Sequence, residues 1–282
     1  MHKKPSTSAG YPAGQVARVK ATCLYLATKL GDLMPEIVIV GGLVPSLLID
    51  QENLPLNVTP HAGTMDLDLG LAFALVGEER YQQVAERLES AGFVPDTNEE
   101  GNTTRQRWRI SEPPVTVDFL IEPKRDAEKK AGRLFNLTPD WAAIIAPGLH
   151  LAFKNDKTIA MKGLTIAGEY AERDVRVCGA GAFVVLKSLA FRIRGENKDA
   201  YDLFYLLGNY GQGVASVAAE LRPLLADATT KRAIAYLQSD FATSDSVGPR
   251  RAAEFLFGRV DEPTQTDAVG FVRQLLAESK RW

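Results

Sequence analysis

Cysteine is nearly absent from this chain: two residues in 282, Cys23 and Cys178. That number cannot build a disulfide framework, and neither thiol has a second ligand at metal-binding spacing, which fits a reducing compartment. An excess of one charge is also missing. Thirty-three Lys and Arg stand against 35 Asp and Glu, a formal charge of −2. No global field therefore draws the protein to nucleic acid, and such a contact requires local basic patches. No apolar run reaches the roughly 18–20 residues that span a bilayer. The opening segment Met1-His2-Lys3-Lys4-Pro5-Ser6-Thr7 is basic and lacks the apolar core of a secretory signal. Internal repeats and low-complexity tracts are lacking too. These absences predict a cytoplasmic protein with no membrane partner.

What is present reads as ordinary globular composition, 45% hydrophobic and 24% charged, enough for two modest domains or one large domain with a helical extension. Residues 1–13 are polar, Pro/Gly/Ser-rich and expected to be flexible. Helical spacing predicts a helix over about 15–33, broken by Met34-Pro35. A short buried strand is expected at Ile37–Val40, a turn at Gly41-Gly42, a second helix at 43–49 and a surface loop over 50–63. Strands follow at 66–73, 93–94, 105–110 and 115–121, with a helix at 78–90 ended by Gly92. Alternating stretches at 149–153, 158–161 and 174–178 suggest a small sheet, and everything beyond Gly181 reads helical. The expected organisation is an α/β core over 14–140, then a small sheet and a helical domain over 141–282.

The most telling residues are acids inside strand-like runs. Asp66 and Asp68, in Thr64-Met-Asp66-Leu-Asp68-Leu, are one residue apart and so point to the same side of a strand. Asp118 sits centrally in the apolar run Val115–Ile121. Carboxylates in core-like strands are costly unless compensated, and divalent cations are the usual compensation. Taken alone the Asp-x-Asp pair is weak evidence, because many such pairs are solvated turn residues. Here a Gly-Gly turn after an apolar strand precedes it and a third strand-borne acid follows.

Gly41-Gly42, then Asp66-x-Asp68, then Asp118 in an apolar strand resembles the nucleotidyltransferase superfamily that includes DNA polymerase beta. Within it the pattern is similar to the AbiEii/AbiGii group of toxin–antitoxin and phage-abortive toxins. Thr64 matches that group's hydroxyl residue two positions before the first Asp. The segment Lys187-x-x-Ala190 … Arg194 … Lys198-Asp199-x-x-Asp202-Leu203 resembles its second signature. Ala62 stands where members usually carry Arg, and the connection from Gly42 to Asp66 is long.

The resemblance implies an α/β (α+β) nucleotidyltransferase core with a mixed sheet and a mainly helical C-terminal domain that completes the nucleotide cleft. It implies Mg²⁺ or Mn²⁺ held by Asp66, Asp68 and Asp118, and Lys187 as a further catalytic residue. Nucleotide contacts would come from Gly41, Gly42, Thr64, Arg194, Lys198, Asp199 and Asp202. Transfer of a nucleoside monophosphate from an NTP to the 3′ end of tRNA, and a cognate antitoxin, are implied in the same way. Lys187 and Arg194, seven residues apart, share a helix face. Arg105, Arg107 and Arg109 alternate along one strand and, with Lys124, Arg125, Lys129, Lys130 and Arg133, are a candidate RNA-binding surface. His61 and His150 are lone histidines without partner spacing; His61, in the loop before Thr64, is within reach of a phosphate there but is expected to be a plain loop residue. The residues leave open a non-catalytic nucleotide- or RNA-binding module, and a nucleotidyltransferase acting on a small molecule or a protein.

Overall fold

The computed structural model describes residues 5–72, 78–110, 114–122 and 129–280. They form an α/β protein with one open, mixed, nine-stranded sheet. Contacts divide the chain into two units, one built from Ala13–Val44 and Gly63–Cys178, the other from residues 5–12, Pro45–Ala62 and 179–280.

The first unit holds the sheet. Helix α1 (Gln15–Leu30) ends at Gly31, whose φ of 52° a side chain would resist, so it stops before the expected 33 and at a glycine rather than at Met34-Pro35; a 3₁₀ segment, Gly31–Glu36, containing Pro35, follows. Strand β1 (Ile37–Val40) is buried along its length and ends at a 3₁₀ turn, Gly41–Leu43; the five-residue helix α2 (Val44–Leu48) follows in the chain and belongs from Pro45 onward to the second unit. Then come β2 (Asp66–Leu71), α3 (Glu78–Ser90), β3 (Val94–Thr97), β4 (Thr103–Ile110) and β5 (Val115–Ile121). Short strands β6 (Leu134–Asn136) and β7 (Ala142–Ile145), helix α4 (Leu149–Lys154) and the hairpin of β8 (Asp156–Leu164) with β9 (Tyr170–Cys178) complete the unit. The main strand order is β3-β4-β5-β2-β1-β9-β8, with β7 pairing β5 and β6. Phe73, expected to end β2, and Lys124 and Arg125 of the charged run lie outside the described residues.

Two expectations are corrected here. Leu149-His-Leu-Ala-Phe153 alternates like a strand but forms α4. A carboxylate decides it: Glu122, just past β5, accepts bonds of 2.8 Å from the backbone N–H groups of both Gly148 and His150 and so caps this helix start. The stretches at 158–161 and 174–178 are not a separate small sheet, because β9 pairs in parallel with β1 (Ile39 opposite Val177) and carries β8 with it.

Alternation sorts the central strands into two faces. Leu67, Leu69 and Leu71 of β2 and Val117, Phe119 and Ile121 of β5 are buried. Phe119 meets Trp141 edge-on at 5.0 Å, and Trp141 meets Tyr81 of α3. The opposite parity carries Asp66, Asp68 and Asp118.

The second unit is helical along its C-terminal part: α5 (Ala180–Arg194), α6 (Asn197–Asn209), α7 (Val214–Leu221), α8 (Ala228–Asp240), α9 (Val247–Phe257) and α10 (Glu262–Ser279). Gly195, left-handed at φ 65°, separates α5 from α6. Among the described residues no helix is long and apolar enough to cross a membrane.

Candidate metal centre

Strand register builds the acidic cluster. β2 and β5 run parallel with Asp68 directly opposite Asp118, while β1 places Val40 beside Asp68 on the other flank. Neighbouring strands are about 4.8 Å apart, so facing carboxylates converge. Oxygens of Asp66, Asp68 and Asp118 all lie within 4.8 Å of one another. A divalent cation bonds oxygen at about 2.0–2.6 Å, so an ion can span ligands at that separation. An all-carboxylate donor set suits a hard ion such as Mg²⁺ or Mn²⁺. The three acids can therefore hold a metal ion, and Asp66 and Asp118 are buried while Asp68 is part-exposed.

Two neighbours shape the cluster. Thr64 Oγ1 donates to Asp66 Oδ1 at 2.8 Å and orients that carboxylate. Gly41, at φ 72°, turns the chain at the end of β1 with its absent side chain aimed at Asp68. A Cβ there would fall 1.9 Å from Asp68 Oδ2. The room left by this glycine is filled by a carboxylate of the cluster. Gly42 follows it, buried in the same turn. The helix beyond has five residues rather than the seven expected, so its dipole adds little.

Arg107 is the residue that sequence reasoning misplaced. It faces Asp118 across the antiparallel β4–β5 pair. Its Nε donates to Asp118 Oδ1 at 2.7 Å and its Nη2 donates to Asp118 Oδ2. The same Nη2 lies 4.0 Å from Asp66 Oδ2. Hydrogen bonding to Asp118 outweighs burial and drives the guanidinium pKa still higher. Arg107 thus does not join a solvated basic surface. Arg105 donates to the Pro139 carbonyl, and Arg109 pairs with Asp96.

Lys187, Arg194, Lys198, Asp199 and Asp202 lie in the second unit and pair with one another. Lys187 Nζ is 2.9 Å from Asp199 and 2.6 Å from Asp202; Arg194 forks onto Asp199 at 2.6 and 2.7 Å; Lys198 reaches Asp202 at 2.7 Å. Burial opposes the charged form of each buried group. For Lys187 the two aspartates outweigh it and raise the ammonium pKa, and Lys187 with Arg194 holds Asp199 at about 2. Asp202, beside both lysines, is held well below the usual carboxylate range.

His61 is not a plain loop residue. Its ring contacts Ser46 Oγ at 3.1 Å through Nδ1 and Asp202 Oδ1 at 2.9 Å through Nε2, and stacks on Tyr201 at 5.2 Å. Burial depresses the imidazole to about 4, only partly offset by Asp202. With Nε2–H donating to the carboxylate, Nδ1 is the acceptor for the Ser46 hydroxyl. His150 Nδ1 in turn pairs with Glu122 at 2.7 Å. Cys23 and Cys178 are buried, and burial pushes the Cys23 thiol up to about 12, which makes it an inert apolar group at neutral pH.

No protein-family model matches the chain, and no curated protein matches it.

Proposed function

We propose that this chain is a metal-dependent nucleotidyltransferase of the AbiEii/AbiGii kind, built on a nucleotidyltransferase core with a helical C-terminal domain. The single observation that carries the reading is the convergence of Asp66, Asp68 and Asp118 within 4.8 Å, next to a glycine whose space one of them occupies. In this reading Asp66 and Asp68 would hold the ion that binds the triphosphate, and Asp118 would help hold a second. Bound divalent ions supply charge neutralisation on the triphosphate and lower the pKa of an attacking hydroxyl. Thr64 keeps the Asp66 carboxylate aimed, and Gly41 and Gly42 leave room for Asp68 and for a phosphate. The acceptor hydroxyl gives up its proton to solvent, and its oxygen bonds to the α-phosphorus as the bond to pyrophosphate breaks. The 3′ hydroxyl of tRNA is the proposed acceptor, and a cognate antitoxin the proposed partner, both on the resemblance alone.

A second reading is favoured by Arg107. Its fork on Asp118 neutralises one of the three acids, which suits a module that binds nucleotide or RNA without turnover.

Incubating the protein and Mg²⁺ with each α-³²P NTP and total bacterial tRNA separates the two. Label on tRNA from one NTP, absent with Asp66→Ala, supports transfer and names the donor. Label absent from every band, together with micromolar NTP binding by calorimetry, supports the binding module instead.

A further inference from the structure

Arg107 is a buried cation to which the proposed reaction gives no task. Arg107 is 9% exposed and lies on the face of the sheet that carries the acids. Its guanidinium grips both oxygens of Asp118, and Nη2 also stands 4.0 Å from Asp66 Oδ2. A cation shared by Asp66 and Asp118 would stand in this same place.

We infer that Arg107 is a built-in counter-cation that occupies the place of the second divalent ion, so that the protein without substrate takes up one divalent ion rather than two. The inference rests on the metal-dependent reading above. Charge makes the case as well as geometry. Three carboxylates carry −3, and with Arg107 the group carries −2, which one divalent ion neutralises. A second ion would then leave a buried excess of positive charge beside a guanidinium that has lost its partner, and both are costly in a desolvated site. Without Arg107 the cluster keeps its full charge and Asp118 is released as a ligand. Entry of a second ion therefore requires Arg107 to leave Asp118, and a polyanion is the chemical class that can receive the freed guanidinium. Arg107 is thus a positioning residue that acts through Asp118.

The test counts Mn²⁺ bound to the full-length chain by electron paramagnetic resonance, with no nucleotide present. The wild type is expected to bind one ion, and Arg107→Gln two, or one with affinity raised at least about tenfold, given the strength of a unit charge at contact distance. A second variant guards against loss of the fold. Arg107→Gln with Asp118→Asn keeps a neutral, hydrogen-bonded pair and the same cluster charge as the wild type. It is expected to bind one ion with affinity within about threefold of the wild type, since opposite charges removed together leave the field at the first ion nearly unchanged. Equal stoichiometry and affinity in the wild type and Arg107→Gln overturn the inference. So does a drop of tenfold or more in the double variant, because Asp118 would then already be a ligand in the resting protein. Failure of every form to bind Mn²⁺ overturns the metal-dependent reading itself, and this inference with it.

Discussion

Gly41→Ala is the sharpest perturbation available, because two separable costs meet at one atom. The first is conformational. Gly41 has φ 72°, and placing an L-residue there costs about 1–2 kcal/mol. The second is a collision: the new Cβ would lie 1.9 Å from Asp68 Oδ2 and 2.7 Å from its Cγ. Ordinary contact begins at 3.4 Å, so the carboxylate oxygen must retreat by 3.4 − 1.9 = 1.5 Å. Metal–ligand distances tolerate about 0.2 Å, so that retreat removes Asp68 from the cluster. Gly14→Ala is the control. Gly14 is also left-handed, at φ 83°, but an added Cβ meets nothing within 4 Å. Gly14→Ala should lose about 1–2 kcal/mol of stability and Gly41→Ala at least as much, read as a fall of a few degrees or more in melting temperature. Only Gly41→Ala should also weaken Mn²⁺ binding, by at least about tenfold, as loss of Asp68 from a resting site held by Asp66 and Asp68 implies. Calorimetric titration with Mn²⁺ and a circular-dichroism melt give both numbers. Equal Mn²⁺ affinity in the two variants would refute the claim that Gly41 exists to make room for Asp68.

Three further outcomes follow from the same structure. His61 is held neutral at about 4 against an ordinary 6.5, so between those values the unfolded chain binds more protons than the folded one. Stability should therefore rise by about 3 kcal/mol from pH 4 to 6.5 and level off above, with Asp199 adding further loss below its ordinary 3.8; urea midpoints that are flat across the window would contradict this. Lys187→Met removes the ammonium shared by two fully buried aspartates and should cost about 3–5 kcal/mol, measured by denaturant unfolding. A loss below about 1 kcal/mol would show that Arg194 and Lys198 suffice as counter-charges. Gly181→Ala would press a Cβ to 2.4 Å from the Glu220 carbonyl oxygen, forcing α5 and α7 apart at about 1–3 kcal/mol. An unchanged melting temperature would mean that this helix contact relaxes freely.

Local pattern carries far along this chain and then stops. Ile37–Val40, Val115–Ile121 and Glu78–Ser90 are legible because a short apolar run or a 3.6-residue period is a property of neighbouring residues alone. Leu149–Lys154 is not, since its helix start is capped by Glu122, more than twenty residues earlier in the chain. The same limit hid Arg107 and His61. Each has an unremarkable local context, and each owes its burial to a partner, Asp118 or Asp202, brought up by the fold.

By itself, then, the sequence determined that Asp66 and Asp68 share one side of a strand and that Asp118 lies in another, because side-chain alternation is a local consequence of the extended backbone. Only the tertiary structure decided that these strands run side by side and parallel, with Asp68 opposite Asp118. It alone also set Arg107 against Asp118 across the β4–β5 pair, and grouped Pro45–Ala62 with residues 179–280. Register and grouping depend on contacts between residues far apart in the chain, which no local window contains.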